Sequence, residues 1–228
     1  MDGSRNSGFE TIVVVAGGGP IDPVAIAAIP DGATVIAADS GVEYAEAAGL
    51  AVALLVGDLD SASPAAVARA TASGTEVERF PQEKDKTDLD LALTAARRRG
   101  PERIIVVGNA GGRFDHVLGN VVVLADAASD VASGVDQDAA LIVEAWFGTA
   151  HLQVATPGRT LVVTGEPGSL VSLLALHGPV HGVRTTGLRW ALHDEPLMPG
   201  SSRGLSNEMT VTNATVIVAS GVLVVIQP

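Results

Sequence analysis

Over roughly the first 145 residues, short β-branched runs alternate with alanine-rich stretches. The runs at 11–16, 34–38, 51–56, 76–80, 103–107 and 139–143 are for the most part continuously apolar rather than alternating, EVERF at 76–80 being the polar exception. A strand covered by helices on both faces has no polar face to show, so these runs predict strands of a mostly parallel sheet. Asp22-Pro23 and Ser63-Pro64 each read as an N-cap followed by the first helical position. Residues 89–99 and 116–128 carry two further helical patterns. The expected architecture of this half is α/β, a mostly parallel sheet flanked by helices.

After Phe147 the helical pattern stops. Apolar runs recur at 152–155, 160–163, 170–174, 209–212, 215–219 and 223–226 between Gly, Pro and Asn punctuation. This predicts a small antiparallel β domain. Ser220-Gly221, between the last two runs, reads as a hairpin turn. With no internal repeat or low-complexity linker, the chain divides into an α/β unit over 1–147 and a β unit over 148–228.

Charge and composition narrow the function. The chain has 228 residues, with 26 acidic against 14 basic side chains and a net charge of −12, so a nucleic-acid backbone would be repelled. It contains no cysteine, which excludes disulfides, a thiolate nucleophile and Cys-ligated zinc; any metal must sit on oxygen or imidazole. The sequence MDGSRNSGFE lacks the basic and apolar regions of a signal peptide, and no apolar run approaches membrane-spanning length. The expectation is a soluble, cytoplasmic protein without a membrane partner. Only two lysines occur, Lys84 and Lys86, and neither lies in a Gly-Lys-Ser/Thr phosphate loop.

Ligands of open α/β sheets bind beyond the carboxyl ends of the strands. Those positions here hold Asp39-Ser40-Gly41, Gly57-Asp58-Leu59-Asp60-Ser61, Lys84-Asp85-Lys86-Thr87-Asp88 and Gly108-Asn109-Ala110-Gly111-Gly112-Arg113-Phe114-Asp115-His116. Any one aspartate could be a helix cap; converging acids are harder to explain so. Asp58 and Asp60 flank one residue, and two close carboxylates repel unless a cation lies between them. Oxygen ligands without sulfur favour Mg²⁺. Gly111, Gly112 and Arg113 precede a helix and offer backbone N–H groups and a planar cation to a phosphate, or form an ordinary turn. Gly17-Gly18-Gly19-Pro20 after the first strand is a turn that also could approach phosphate. His177 and His181 are separated by Gly178-Pro179 and do not form a zinc pair, and His116 reads as a capping residue. Trp190 either walls a pocket or fills the β core.

In order and spacing the segments ADSG (38–41), LLVGDLDS (54–61), KDKTDLDLAL (84–93), GNAGGRFDH (108–116), TTGLRWAL (185–192) and GLSNE (204–208) resemble the thiamine pyrophosphokinase family. The resemblance runs from about Val13 to Ile226. It implies an α/β catalytic domain followed by a small antiparallel β-sandwich, a homodimer with sites between protomers, and transfer of the terminal diphosphate of ATP to thiamine. It assigns Asp58, Asp60 and Asp88 to Mg²⁺, and Asp39, Lys84, Asp85, Thr87 and Arg113 to the nucleotide and diphosphate. Gly111 and Gly112 join them on the reading of their loop above; no residue is an obvious base for the alcohol, and Asp85 is the nearest candidate. Asp115, Ser206 and Asn207 fall to thiamine. One departure stands at 40–43: Ser40, Gly41, Val42 and Glu43 replace the family's usual Gly-Gly-Ala-Asn. A diphosphokinase for a hydroxymethyl-pterin alcohol, a phosphatase with Asp58 as nucleophile and a non-catalytic thiamine sensor are the competing readings.

Overall fold

The computed structural model describes residues 10–111, 113–132 and 141–228. Five strands form first, each followed by a helix: β1 (Thr11–Val15), α1 (Pro23–Ala27), β2 (Thr34–Ala38), α2 (Gly41–Ala47), β3 (Val52–Gly57), α3 (Pro64–Ala72), β4 (Glu76–Arg79), α4 (Asp88–Arg97), β5 (Arg103–Gly108) and α5 (Phe114–Ala132). Both proline-initiated helices start as their sequences direct. The Asp22 carboxylate accepts from the Val24 N–H and the Ser63 hydroxyl from the Ala66 N–H, satisfying donors that have no partner within the helix.

Nine strands follow: β6 (Ile142–Phe147), β7 (Ala150–Ala155), β8 (Leu161–Thr164), β9 (Leu170–Ala175), β10 (Val180–Thr186), β11 (His193–Leu197), β12 (Asn207–Glu208), β13 (Asn213–Ile217) and β14 (Leu223–Gln227). Ten strands make one sheet in the order β12-β9-β14-β7-β6-β5-β1-β2-β3-β4, and four make a second, β11-β10-β13-β8. The segment from β6 to β4 is parallel, whereas β7, β14, β9 and β12 join antiparallel. The chain is therefore α/β with a β-sandwich, and one layer of that sandwich continues the parallel sheet across the β6–β7 pairing.

Both faces of the inner parallel strands are covered, which is why they read as apolar runs, whereas the edge strand β4, EVER, is polar. Ile12, Val14, Ile36, Val56, Ile104 and Val106 pack with α4 and α5, while Val13, Val15, Val35 and Leu55 face the side of α1, α2 and α3. The sandwich closes a separate core around Val171, Leu173, Val183, Met209, Val216 and Leu223. Among the described residues no helix is long and apolar enough to cross a membrane.

Three local expectations need correction. β13 and β14 do not form a hairpin, because they belong to different sheets; Ser220-Gly221 carries the chain from one layer to the other. Gly221 has φ +84°, and a Cβ there would lie 2.7 Å from the Pro179 carbonyl oxygen. The run at 139–143 pairs later, as β6, whose register with β5 runs from Ile142 opposite Arg103 to Phe147 opposite Gly108; 139 and 140 lie outside the described residues. At 209–212 no strand forms: β12 ends at Glu208 and Met209 makes a single bridge to Leu188. Unpredicted elements are α2, β10 and β11. Gly182 at φ +63° interrupts the alternation of β10, and β11, HDEPL, is a polar edge strand with Pro196, a composition that protects edges from further pairing.

Candidate active site

Strand order reverses between β1 and β5, and the acidic loops gather at the carboxyl edge beside that reversal. Asp39 follows β2, Asp58 and Asp60 follow β3, and Asp88 opens α4 behind its N-cap Thr87, whose hydroxyl accepts from the Asp90 N–H. One carboxylate oxygen each from Asp39, Asp58 and Asp60 lies within 4.8 Å of the others. Asp39 thus joins the two acids whose spacing in the sequence already pointed to a cation. Asp88 approaches the same point: a Cβ built on Gly57 would meet Asp88 Oδ1 at 2.9 Å and the Asp39 Cβ at 3.3 Å. Gly57 has no chemistry that a sequence pattern would flag, yet its φ of +146° and lack of a side chain let the acids meet.

The electrostatics are those of a site built for positive charge. Asp39 is buried, its Oδ1 is buried without a hydrogen-bond donor among the described residues, and buried Asp88 Oδ1 has only the Lys84 ammonium near it, at 3.2 Å. Burial, with help from Asp88 and Asp58, pushes the Asp39 carboxyl above its ordinary range against the Ser40 N–H and Ser61 hydroxyl. Asp58 is held low by Lys84, whose Nζ lies 2.5 Å from Asp58 Oδ2. Asp60 accepts from Gln82 Nε2 at 2.6 Å and the Ser61 hydroxyl at 3.0 Å. Asp39 and Leu59 sit in the left-handed region at φ +46° and +62°, strain of a kind that collects at functional sites. Asp85 is exposed on the loop that carries Lys84.

Of the departure at 40–43, the Ser40 backbone N–H reaches this cluster, at the Asp39 carboxylate, while Val42 and Glu43 point elsewhere. Val42 is buried in the core between β2, β3 and α3, and Glu43 accepts from the Ser63 N–H at 2.7 Å, which holds its carboxyl low and ties α2 to the start of α3. Gly41 permits a close crossing: a Cβ would lie 2.2 Å from the Val15 carbonyl oxygen.

At the next loop, Gly112 lies outside the described residues. The Gly111 N–H donates to Asn109 Oδ1 at 2.5 Å, and Asn109 Nδ2 donates to the Pro20 carbonyl, so Asn109 joins this loop to the glycine turn after β1. Arg113 and Asp115 form a bidentate, exposed ion pair at 2.6 and 3.2 Å, which keeps the Asp115 carboxyl low. His116 lies in the first turn of α5, two residues inside its start, with its N–H donated to the Arg113 carbonyl. His177 Nε2 lies 2.8 Å from the Val122 carbonyl oxygen, and His181 pairs through its backbone with Ser220; they form no metal pair.

Ser206 and Asn207 lie elsewhere, with β12 at the far end of the ten-stranded sheet. Eight strand spacings separate β12 from β3, roughly 38 Å measured along the sheet at about 4.8 Å per strand. Asn207 is buried, and its side chain is used locally: Oδ1 accepts from the Trp190 and Glu208 N–H groups and Nδ2 donates to the Trp190 carbonyl. Trp190 is not core but 57% exposed, with the Arg189 guanidinium 5.1 Å from its ring centroid. Ser206 is exposed at φ +54°, its N–H donated to the Ser172 hydroxyl.

Comparison with known proteins identifies this arrangement. Residues 28–133 match the family model described as the thiamin pyrophosphokinase catalytic domain, and residues 160–223 match that of the thiamin pyrophosphokinase vitamin B1 binding domain. The chain is 29% identical to thiamine pyrophosphokinase of Bacillus subtilis, covering 96% of this chain and 99% of that one. The crystal structure of a Bacillus subtilis thiamine pyrophosphokinase superposes with a TM-score of 0.78 at 26% identity, over 95% of this chain and 98% of that chain. That of Geobacillus thermodenitrificans thiamin pyrophosphokinase gives 0.72 at 26% identity, over 95% and 96%. With both domain models of one family matched in order along its length, the chain belongs to the thiamine pyrophosphokinase family.

Proposed function

We propose that this protein is a thiamine diphosphokinase, transferring the terminal diphosphate of ATP to the hydroxyethyl group of thiamine and releasing AMP. The observation that carries the reading is the meeting of Asp39, Asp58, Asp60 and Asp88 at one edge, with the buried Asp39 Oδ1 lacking a donor, in a chain of this family. These oxygens fit Mg²⁺, a hard cation that shares its shell with phosphate oxygens. Bound there, the ion supplies positive charge against the diphosphate oxygens.

The chain's own residues do the rest. Lys84, Thr87, Gly111, Gly112 and Arg113 hold the phosphates, Arg113 leaving its pair with Asp115 to do so. The thiamine hydroxyl attacks the β-phosphorus, the bond from that phosphorus to the bridging oxygen of AMP breaks, and exposed Asp85 takes the hydroxyl proton. Asp115 and Ser206 contact thiamine, and Asn207 serves the pocket by holding Trp190. Positioning and charge stabilisation suffice for a transfer of this type.

In this reading residues 1–147 are the catalytic unit and 148–228 the thiamine-binding and dimerisation unit. The separation of β12 from β3 favours a homodimer in which Trp190 and Ser206 of one copy face the acids of another. The exposed apolar face of α5, Phe114, Leu118 and Val122, gives such a dimer surface to bury. The protein acts in the cytoplasm.

Incubation with thiamine, ATP and Mg²⁺ tests the reaction: one AMP forms per thiamine diphosphate, and none forms without thiamine. Asp58→Asn keeps the circular dichroism spectrum but loses turnover by on the order of 3 kcal/mol, about a hundredfold or more. Phosphate release without acceptor, or turnover within twofold of wild type, overturns the assignment.

A further inference from the structure

The acidic cluster already contains a cation. Lys84 Nζ lies 2.5 Å from Asp58 Oδ2 and 3.2 Å from Asp88 Oδ1, and the lysine side chain is only 12% exposed. An ammonium so placed neutralises part of the repulsion among Asp39, Asp58, Asp60 and Asp88, which otherwise destabilises the folded site. It does so incompletely: Asp88 Oδ1 lacks hydrogen-bond alignment to the lysine, and Asp39 Oδ1 has no donor. A divalent ion brought to these acids meets the lysine's charge at short range. Lys84 cannot remain where it is without opposing that ion, and the nearest new anion that nucleotide binding provides is a phosphate. The other lysine is a built-in control. Lys86 pairs with Asp90 at 2.8 Å on the surface of α4 and is half exposed.

We propose that Lys84 is the resident counter-ion of Asp58 and Asp88, that the divalent ion displaces it, and that the nucleotide's phosphates receive the released ammonium. The inference rests on the reading of these acids as metal ligands. Its consequence is a coupling: metal and nucleotide each bind better in the presence of the other because one lysine moves between two partners. A simple structural ion pair would have no such effect.

The presence of only two lysines makes the movement directly observable. In protein labelled with ¹⁵N at lysine Nζ, the buried ammonium of Lys84 gives a signal protected from solvent exchange. Magnesium together with an ATP analogue carrying a methylene bridge between the α- and β-phosphorus shifts that signal and leaves Lys86 unchanged. Calorimetry supplies the second measurement. Lys84→Met binds Mg²⁺ alone about tenfold tighter than wild type, and the wild-type enhancement of Mg²⁺ binding by the analogue, about tenfold, falls below about threefold in the variant. If both proteins bind Mg²⁺ with equal affinity and equal enhancement, or the Lys84 signal stays fixed while Mg²⁺ and analogue bind, the inference is overturned and the metal site stands. If neither protein binds Mg²⁺ with or without the analogue, the metal reading itself is overturned.

Discussion

Replacing Gly57 by alanine tests whether the cation site depends on a backbone position rather than on the acids alone. The new Cβ would sit 2.9 Å from Asp88 Oδ1 and 3.3 Å from the Asp39 Cβ, on a residue at φ +146°. Ordinary contact for such a carbon begins near 3.4 Å, so Asp88 must retreat by about half an ångström or β3 must shift. The second route is resisted, since the Gly57 carbonyl accepts from the Phe80 N–H at 3.0 Å and β3 is held on both sides by β2 and β4. The backbone strain costs roughly 1–3 kcal/mol, which a domain with stability of about 5–15 kcal/mol survives. Metal ligands, however, tolerate displacements of only about 0.2 Å. The expected result is a folded protein, its melting temperature lowered by roughly 2–4 °C per kcal/mol. Its Mg²⁺ requirement for AMP formation rises about 10–100-fold, as for other changes that misplace ligands. Differential scanning calorimetry and a Mg²⁺ titration of turnover decide it. A variant whose Mg²⁺ dependence stays within twofold of wild type would refute the reasoning.

Three other outcomes follow from the same geometry. Co-refolding equal amounts of Asp58→Asn and Trp190→Ala should restore about a quarter of wild-type AMP formation, since half the dimers are mixed and each mixed dimer has one intact site; no gain, with mixed dimers confirmed by native mass spectrometry, would put both residues in one chain's site. Asn207→Ala should lower stability by about 2–4 kcal/mol, because the Trp190 N–H and carbonyl and the Glu208 N–H lose their partner; an unchanged chemical-denaturation midpoint would contradict this. Glu144, with a side chain only 5% exposed, is bound by Arg103 and by His151, which stacks on Trp146. Burial alone would raise its pKa, but the His151 and Arg103 contacts outweigh burial and leave it below the usual value. Its stabilisation is therefore present above the ordinary glutamate pKa of 4.5 and is lost as pH falls through the lower folded value. Glu144→Gln should cost on the order of 2 kcal/mol at neutral pH, less than a fully buried pair because Arg103 is one-third exposed. That difference should shrink on acidification below 4.5, and a pH-independent difference would refute the ion-pair account.

The sequence by itself determined the parallel half of the fold and the order of its acidic loops. Runs such as 35–38 are apolar at every position because both faces of the strand are buried, and that requirement is written into each residue. Asp22-Pro23 and Ser63-Pro64 announce their helices through purely local hydrogen bonds and a fixed proline φ. The nearness of Asp58 and Asp60 is equally local. What the tertiary structure decided depends on partners distant in the chain. β10 and β11 form because their neighbours in the second sheet pair with them, although Gly182 and the HDEPL composition argue against strands. Ser220-Gly221 joins two strands that look like a hairpin, and only the pairing of β14 with β7 and β9 sends them to separate layers. Asp39 reaches Asp58 because β2 and β3 lie side by side in register. Lys84 reaches Asp58 across 26 positions, and Asn207 reaches the Trp190 backbone across 17. Which acid is neutralised, which amide is spent on its own backbone and which aromatic stays exposed are set by long-range pairing and burial, quantities that no local pattern of residues contains.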